Sequence, residues 1–355
     1  MTYNDFINST EHQRIYDEVV SLGFNCHISS ALRQLSLQHK TYPLDWGRVV
    51  EEDTKDEFGF RRKIEFLCTD FKDFINEEDL YIHDDMAHRP EEENMSVFNR
   101  FNGMHFNHDF PKGKTLDESY PFVKEKYDRR IKRLIDLINS NKKICFVFYA
   151  GLGQLPKAEI IYCVEIFKKM HPNANVDFLF LQNDVNIGDD IVYEEISESV
   201  RHVSFYNHPF EYEYQGYFEY IGTKLKEVIH ACIKKEHFEA PELSSNFCVD
   251  GVISNPTPDF NGIVSFGPYT PMYSGNHTVT VNYKLTKNYR AFVDIACDKG
   301  TIAVQKIELP HNQKQFKFDF TLDKNVVDLE VRFYCEQMEH VDENNKFKLF
   351  GIRVD

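Results

Sequence analysis

The chain has 355 residues, of which 42% are hydrophobic and 14% aromatic, enough apolar material for two or three packed domains without disulfide staples. Its 41 basic against 57 acidic side chains give a net charge of −16, which argues against sequence-independent binding to nucleic acid or anionic membranes but leaves room for a local basic pocket. Eight cysteines show no CxxC pair, the first residues lack the basic and apolar pattern expected of an export signal, and no apolar window is long enough for a membrane-spanning helix. The expectation is a cytoplasmic protein with no transmembrane segment.

The first patterned stretch is Val19-Val20-Ser21-Leu22-Gly23-Phe24-Asn25-Cys26-His27-Ile28. The apolar run reads as a buried strand, Gly23 as a turn, and Cys26 as the start of a helix whose apolar face is Ile28, Ala31, Leu32 and Leu35. A cysteine there lies beside the positive end of a helix and its unpaired N–H groups, which lowers a thiol pKa and offers donors to an oxyanion. The alternative is a buried cysteine acting as a small hydrophobe. Thr41-Tyr42-Pro43-Leu44-Asp45-Trp46-Gly47 is a turn bracketed by proline and glycine. Its Trp46, the only tryptophan, reads as a core anchor or as the wall of a site near the thiol. Residues 51–100 are acidic and irregular, and most of their charges read as a solvated face.

A polar-aromatic cluster follows, Phe101-Asn102-Gly103-Met104-His105-Phe106-Asn107-His108-Asp109-Phe110. His105 and His108 beside Asp109 suit either metal ligands or a base and its orienter. No further ligands stand at matching spacing, although His83, Asp84, Asp85 and His88 lie upstream, and neither a metal nor a cofactor is expected. A helix is predicted over residues 116–139, where Arg130 and Arg133, three apart, could clamp an anionic substrate or lock an acidic loop. From Lys143 apolar strands alternate with helices: Ile144 to Tyr149, then residues 176–181, then 202–206. That pattern predicts an α/β fold with an open, mostly parallel three-layer sheet, which binds ligands off the carboxyl ends of its strands. Gly151-x-Gly153 is too short for a dinucleotide fingerprint. Beyond a linker at 241–247, alternating runs around residues 277–283, 291–295, 315–320 and 329–334 predict an all-β sandwich over 248–355, after an α/β domain over 1–240.

Ser21-Leu22-Gly23-Phe24-Asn25-Cys26, Tyr42-Pro43-Leu44-Asp45-Trp46 and Phe106-Asn107-His108-Asp109-Phe110, with the Arg130 and Arg133 helix running into the strand at 144, together resemble an uncharacterised bacterial family described as papain-like cysteine peptidases. The resemblance covers roughly residues 15–150. It implies Cys26 as nucleophile, His108 as base and Asp109 or Asp45 as orienter, with Gly23, Asn25, Asp45, Trp46, Arg130 and Arg133 around the substrate. It departs at Phe148-Tyr149, where relatives are expected to carry an arginine. Papain-like folds do not continue into strand-helix repeats. A thiol on the first strand-to-helix turn looks more like an open α/β serine esterase with sulfur in place of oxygen. Such enzymes often take their base from a late loop, here Asn207-His208-Pro209, so His208 stands beside His108 as a candidate.

Gly262-Ile263-Val264-Ser265-Phe266-Gly267-Pro268-Tyr269, with Ser274 to Val279 and Leu329 to Arg332, resembles the small β-sandwich carbohydrate-binding modules attached to bacterial surface-polysaccharide enzymes. That implies a glycan or a nucleotide- or lipid-linked sugar as partner, with Tyr269 in contact. Two functions follow. One is a thiol-dependent acyl transferase or hydrolase acting on a capsule or lipopolysaccharide precursor. The other is a non-thiol sugar transferase or a non-catalytic glycan-binding protein in which Cys26 is structural.

Overall fold

The computed structural model describes residues 1–23, 26–49, 59–82, 93–150, 155–206, 216–257, 260–286, 289–337 and 347–355, the side chains of 26, 216–223 and 337 excepted. Backbone contacts divide the chain into two units. The first comprises Met1–His12, Glu18–Arg33 and Lys40–Cys232; the second comprises Gln13–Asp17, Gln34–His39 and Ile233–Asp355.

In the first unit, strands Glu18–Ser21, Ile144–Tyr149, Val176–Asn183 and Val200–Phe205 lie side by side in that order, each parallel to its neighbour. Every residue of Ile144–Tyr149 and of Val200–Phe205 is buried, as strands covered on both faces require. Helix Lys157–Met170 makes the crossover between the second and third strands and buries Ile160, Cys163, Val164 and Phe167. Ile191–Ser197 is a strand without a strong apolar run; it pairs antiparallel with Val200–Phe205 at the sheet edge, where its side chains reach solvent. Residues 51–100 hold more structure than an acidic solvated face. Helix Phe60–Cys68 buries Phe60, Lys63, Ile64, Phe66 and Leu67. A four-stranded antiparallel sheet joins Gly47–Val49, Met104–Phe106, Val97–Asn99 and Leu80–Ile82 in that order. Helix Leu116–Ile138 starts at a capping box, with Thr115 and Glu118 each satisfying the other's backbone N–H.

The second unit contains two antiparallel sheets. One runs Cys248–Val249, Val252–Ser254, Phe347–Val354, Gly275–Leu285, Gln315–Leu322; the other runs Gly262–Ser265, Val326–Gln337, Tyr289–Cys297, Ile302–Glu308. Val279 and Val281 of the first share a core with Val293 and Val331 of the second, so the sheets face each other as a sandwich. On Val326–Gln337 the burial alternates from Val331 onward, while Glu330, between two buried apolar residues, is buried as well. Leu329, Val331, Phe333 and Cys335 are buried, while Arg332 and Tyr334 are only half-buried.

The stretch expected to be a linker is packed into this unit. His237–Glu239 pairs antiparallel with Phe347–Val354, Leu243 is buried, and Lys235 meets Glu242 in a buried ion pair at 2.7 Å. Pro241 stands in a short 3-10 turn, Ala240–Glu242, so the proline and acidic residues that look like a tether instead make a tight corner.

Phe60 is fully buried and sits edge-on to Phe148 and Phe180, with ring centroids 5.0 and 4.9 Å away. Replacing such a ring by alanine removes its transfer energy and leaves a cavity. Phe60→Ala is therefore expected to lower unfolding stability by about 3–5 kcal/mol, and Phe60→Leu by less, read as a shift of the urea midpoint at unchanged slope.

Candidate active site

Leu22 continues the first strand of the parallel sheet by donating its N–H to the Val147 carbonyl at 2.9 Å. Gly23 then turns the chain at φ +26°, a backbone angle that side-chain-bearing residues rarely adopt, and helix Cys26–Gln34 follows. Cys26 thus opens a helix at the carboxyl end of a buried parallel strand. Phe24 and Asn25 lie outside the described residues, as does the Cys26 side chain.

Helical spacing puts Ser29 and Arg33 on the face that Cys26 begins, at three and seven residues on. Both reach the turn at 41–46. The Ser29 hydroxyl donates to the Asp45 carbonyl at 2.8 Å. Arg33 donates from Nη2 to Thr41 Oγ1 at 2.9 Å, approaches Asp45 Oδ2 at 3.6 Å, and stands 5.7 Å from the centre of the Trp46 ring. Asp45 is fully buried and closes its own turn by accepting the Tyr42 N–H at 2.8 Å. From Gly47 the chain runs beside strand Met104–Phe106, with the Met104 side-chain end packed over the space a Cβ would take. From the long helix, Arg133 donates to the Thr41 carbonyl at 2.6 Å.

Trp46 is half-buried rather than part of the core, and its ring meets His108 edge-on at 6.2 Å and 81°. His108 is exposed. Asp109, its neighbour in sequence, turns inward instead: it accepts from the Tyr127 hydroxyl at 2.8 Å and from Lys126 Nζ at 2.5 Å. Burial, and after it the Asp109 charge, pushes the Tyr127 phenol well above its ordinary value, so it stays a donor. Arg130 lies 5.2 Å over the Tyr127 ring. These pairwise contacts tie the helix that Cys26 opens to the turn of Asp45 and Trp46, Trp46 to His108, Arg133 to Thr41 of the same turn, and Asp109 to the Tyr127 over which Arg130 lies. The structure adds Ser29, Arg33, Lys126 and Tyr127, which were not singled out in the sequence. Asp109 bonds Lys126 and Tyr127 and not His108.

His105 does not pair with His108: it is buried, bonded through Nε2 to the Ser96 hydroxyl at 2.6 Å and stacked on Phe98 at 3.8 Å. His83, Asp84, Asp85, His88, Gly151, Gly153 and His208 lie outside the described residues. Among the described residues, no group of three His, Cys, Asp or Glu side chains is placed to hold a metal. No helix among them is long and apolar enough to cross a membrane. Tyr269 belongs to the second unit, half-buried at φ +63° with its ring edge-on to Phe266 at 6.1 Å. Its phenol is raised by burial and by Glu330.

Residues 17–179 match the family model described as "Putative papain-like cysteine peptidase (DUF1796)". No curated protein matches the chain. Among solved structures, the C-terminal carbohydrate-binding module of LamC, a marine laminarinase from Zobellia galactanivorans, is 12% identical with a TM-score of 0.23, over 33% of this chain and 96% of that one. The module from Cellvibrio mixtus lichenase 5A, solved with cellotriose, is 15% identical with a TM-score of 0.21, over 34% of this chain and 95% of that one. Accessory secretory protein 1, 2 and 3 of Streptococcus pneumoniae gives 10% identity and a TM-score of 0.24, over 33% of this chain and 98% of that one. Scores this low assign neither a ligand nor a role.

Two tests follow from the site's burial. Tyr127→Phe removes a donor to a buried carboxylate and is expected to cost about 1.5–3 kcal/mol in chemical denaturation. Desolvation holds the His27 and His202 imidazoles below the ordinary value of 6.5, so the fold favours their neutral forms. The unfolded chain takes up those protons more readily, so this stability is complete above pH 6.5 and is lost as pH falls through the lower folded values. Unfolding free energy measured across that range should drop on acidification, and His27→Gln should flatten part of the drop.

Proposed function

With residues 17–179 matching a papain-like cysteine peptidase family, we propose that this chain is a cytoplasmic thiol enzyme that uses Cys26 for acyl transfer or hydrolysis on a bacterial surface-polysaccharide precursor. The observation that carries the reading is the position of Cys26, first in a helix at the end of a buried parallel strand, in a helix tied through Ser29 and Asp45 to the Trp46–His108 pair. The reading takes that sheet as the middle layer of an open three-layer domain.

In this reading the helix terminus stabilises the Cys26 thiolate, and His108 takes up its proton. The sulfur attacks the acyl carbon, and the oxyanion that forms is held by backbone N–H groups at the start of the helix, near Gly23 and Asn25. The imidazolium then protonates the leaving oxygen or nitrogen as its bond to carbon breaks. A water or an acceptor hydroxyl, deprotonated by the same imidazole, attacks the thioester and frees the thiol. Asp109 acts on His108 indirectly, by fixing its loop to Tyr127 and Lys126. Support for a sugar partner comes from the second unit, where an open hollow of about 590 Å³ is lined by Asn276, Thr278, Gln305, Asp319 and Thr321, side chains that exchange hydrogen bonds with hydroxyls. Tyr269 would add an aromatic surface to the same partner.

Burial raises the competing thiols, Cys68 to about 11 and Cys145, Cys163 and Cys232 to about 12. In a Cys248→Ser background, rapid alkylation by iodoacetamide near neutral pH should therefore map to Cys26. Cys26→Ala should abolish turnover of an activated acyl ester, and His108→Asn should lower kcat/KM by about 10²–10⁴-fold. Full turnover by Cys26→Ala, or a Cys26 no more reactive than free cysteine, would remove the thiol mechanism.

A further inference from the structure

Most cations around the site are engaged within the protein. Lys126 is paired with Asp109, Arg33 flanks Asp45 at 3.6 Å, and Arg133 is bonded to the Thr41 carbonyl. Arg130 differs. It lies over the Tyr127 ring, takes part in none of the ion pairs made by the described residues, and has its Nη1 buried with no hydrogen-bond partner. Arg33 Nε is a second buried donor without a partner.

The charges point the same way. Arg33, Lys126, Arg130 and Arg133 stand against Asp45 and Asp109, four cations to two carboxylates among the described residues, in a chain whose net charge is −16. A guanidinium N–H shut away from water without an acceptor is destabilising. An anionic oxygen supplies both the missing acceptor and a countercharge, and the planar fork of arginine suits carboxylate and phosphate alike.

We propose that Arg130, lying over Tyr127, and Arg33, at the Asp45–Trp46 turn, bind an anionic oxygen group of the acyl substrate, a carboxylate or a phosphate. Its place in catalysis rests on the thiol reading above; the anion site itself does not. The thiol enzyme would then select acyl donors that carry a negative charge close to the scissile bond.

Trp46 provides the readout, being the only tryptophan and 5.7 Å from the Arg33 guanidinium. The full chain is titrated separately with inorganic phosphate and with acetate at constant ionic strength, following tryptophan fluorescence. A saturable change with one of them is expected, and which anion gives it distinguishes phosphate from carboxylate. Arg130→Gln, and independently Arg33→Gln, should each weaken that binding by about tenfold or more while leaving the circular dichroism spectrum unchanged. In the Cys248→Ser background, the rate of Cys26 alkylation by iodoacetate relative to iodoacetamide should exceed the same ratio for free cysteine, and Arg130→Gln should return it to the free value. A flat fluorescence response to both anions, or binding that neither substitution weakens, overturns the proposal. Anion binding that depends on Arg130, beside a Cys26 inert to both reagents, upholds the anion site and overturns the thiol reading instead.

Discussion

The hydrogen bond from the Ser29 hydroxyl to the Asp45 carbonyl, 2.8 Å long and buried, is the contact on which the arrangement of the site depends. It fastens the helix that Cys26 opens to a turn that Asp45 has already closed through the Tyr42 N–H. Trp46 follows Asp45 directly, so fixing that turn also fixes the ring against which His108 packs. A single such bond contributes only about 1 kcal/mol, but losing it would strand a buried carbonyl and loosen the helix against the turn. Geometry near the candidate thiol is thus held by short-range contacts between three segments, with the parallel sheet as the rigid base beneath the first of them.

Much of this was legible in the sequence, and what was not has physical causes. Ile144 to Tyr149 announces itself as a strand by the unbroken apolar run that burial on both faces favours, whereas Val200–Phe205 is buried with Arg201, His202 and Ser204 inside it. The sandwich strands announced themselves by alternation. Ile191–Ser197 escaped because an edge strand tolerates polar residues on its open side, and Phe60–Cys68 escaped because its apolar face lies beside long acidic stretches. The apparent linker hid a folded corner, since the same proline and acidic residues serve a tight turn as well as a tether.

In the site, Cys26, Trp46, His108 and the two arginines were visible as residue types in a pattern. Arg33 and Ser29 are not, because the periodic apolar residues Ile28, Ala31, Leu32 and Leu35 mark a different face from the one that Cys26 begins. Tyr127 and Lys126 gain their roles from Asp109, 18 and 17 positions away, a pairing that no local pattern encodes. Adjacency in sequence also misled. His108 and Asp109 look like a base and its orienter, yet in the bend that follows strand Met104–Phe106 one is exposed and the other is buried against Lys126 and Tyr127.

The second unit is discontinuous along the chain: Arg14–Ile15 pairs in parallel with Ile233–Lys234, and the Ser36 hydroxyl bonds the carbonyl of Pro268, 232 positions away. On the ribosome, the first pieces of this unit emerge long before the residues that complete them. At translation speeds of about 5–20 residues per second the interval is on the order of 10–40 s. Throughout it the Arg14–Ile15 strand lacks its Ile233–Lys234 partner and the Ser36 hydroxyl lacks the Pro268 carbonyl. The nascent chain therefore carries unpaired early segments of this unit until the later ones are made, which is the condition under which a holdase chaperone gains its grip.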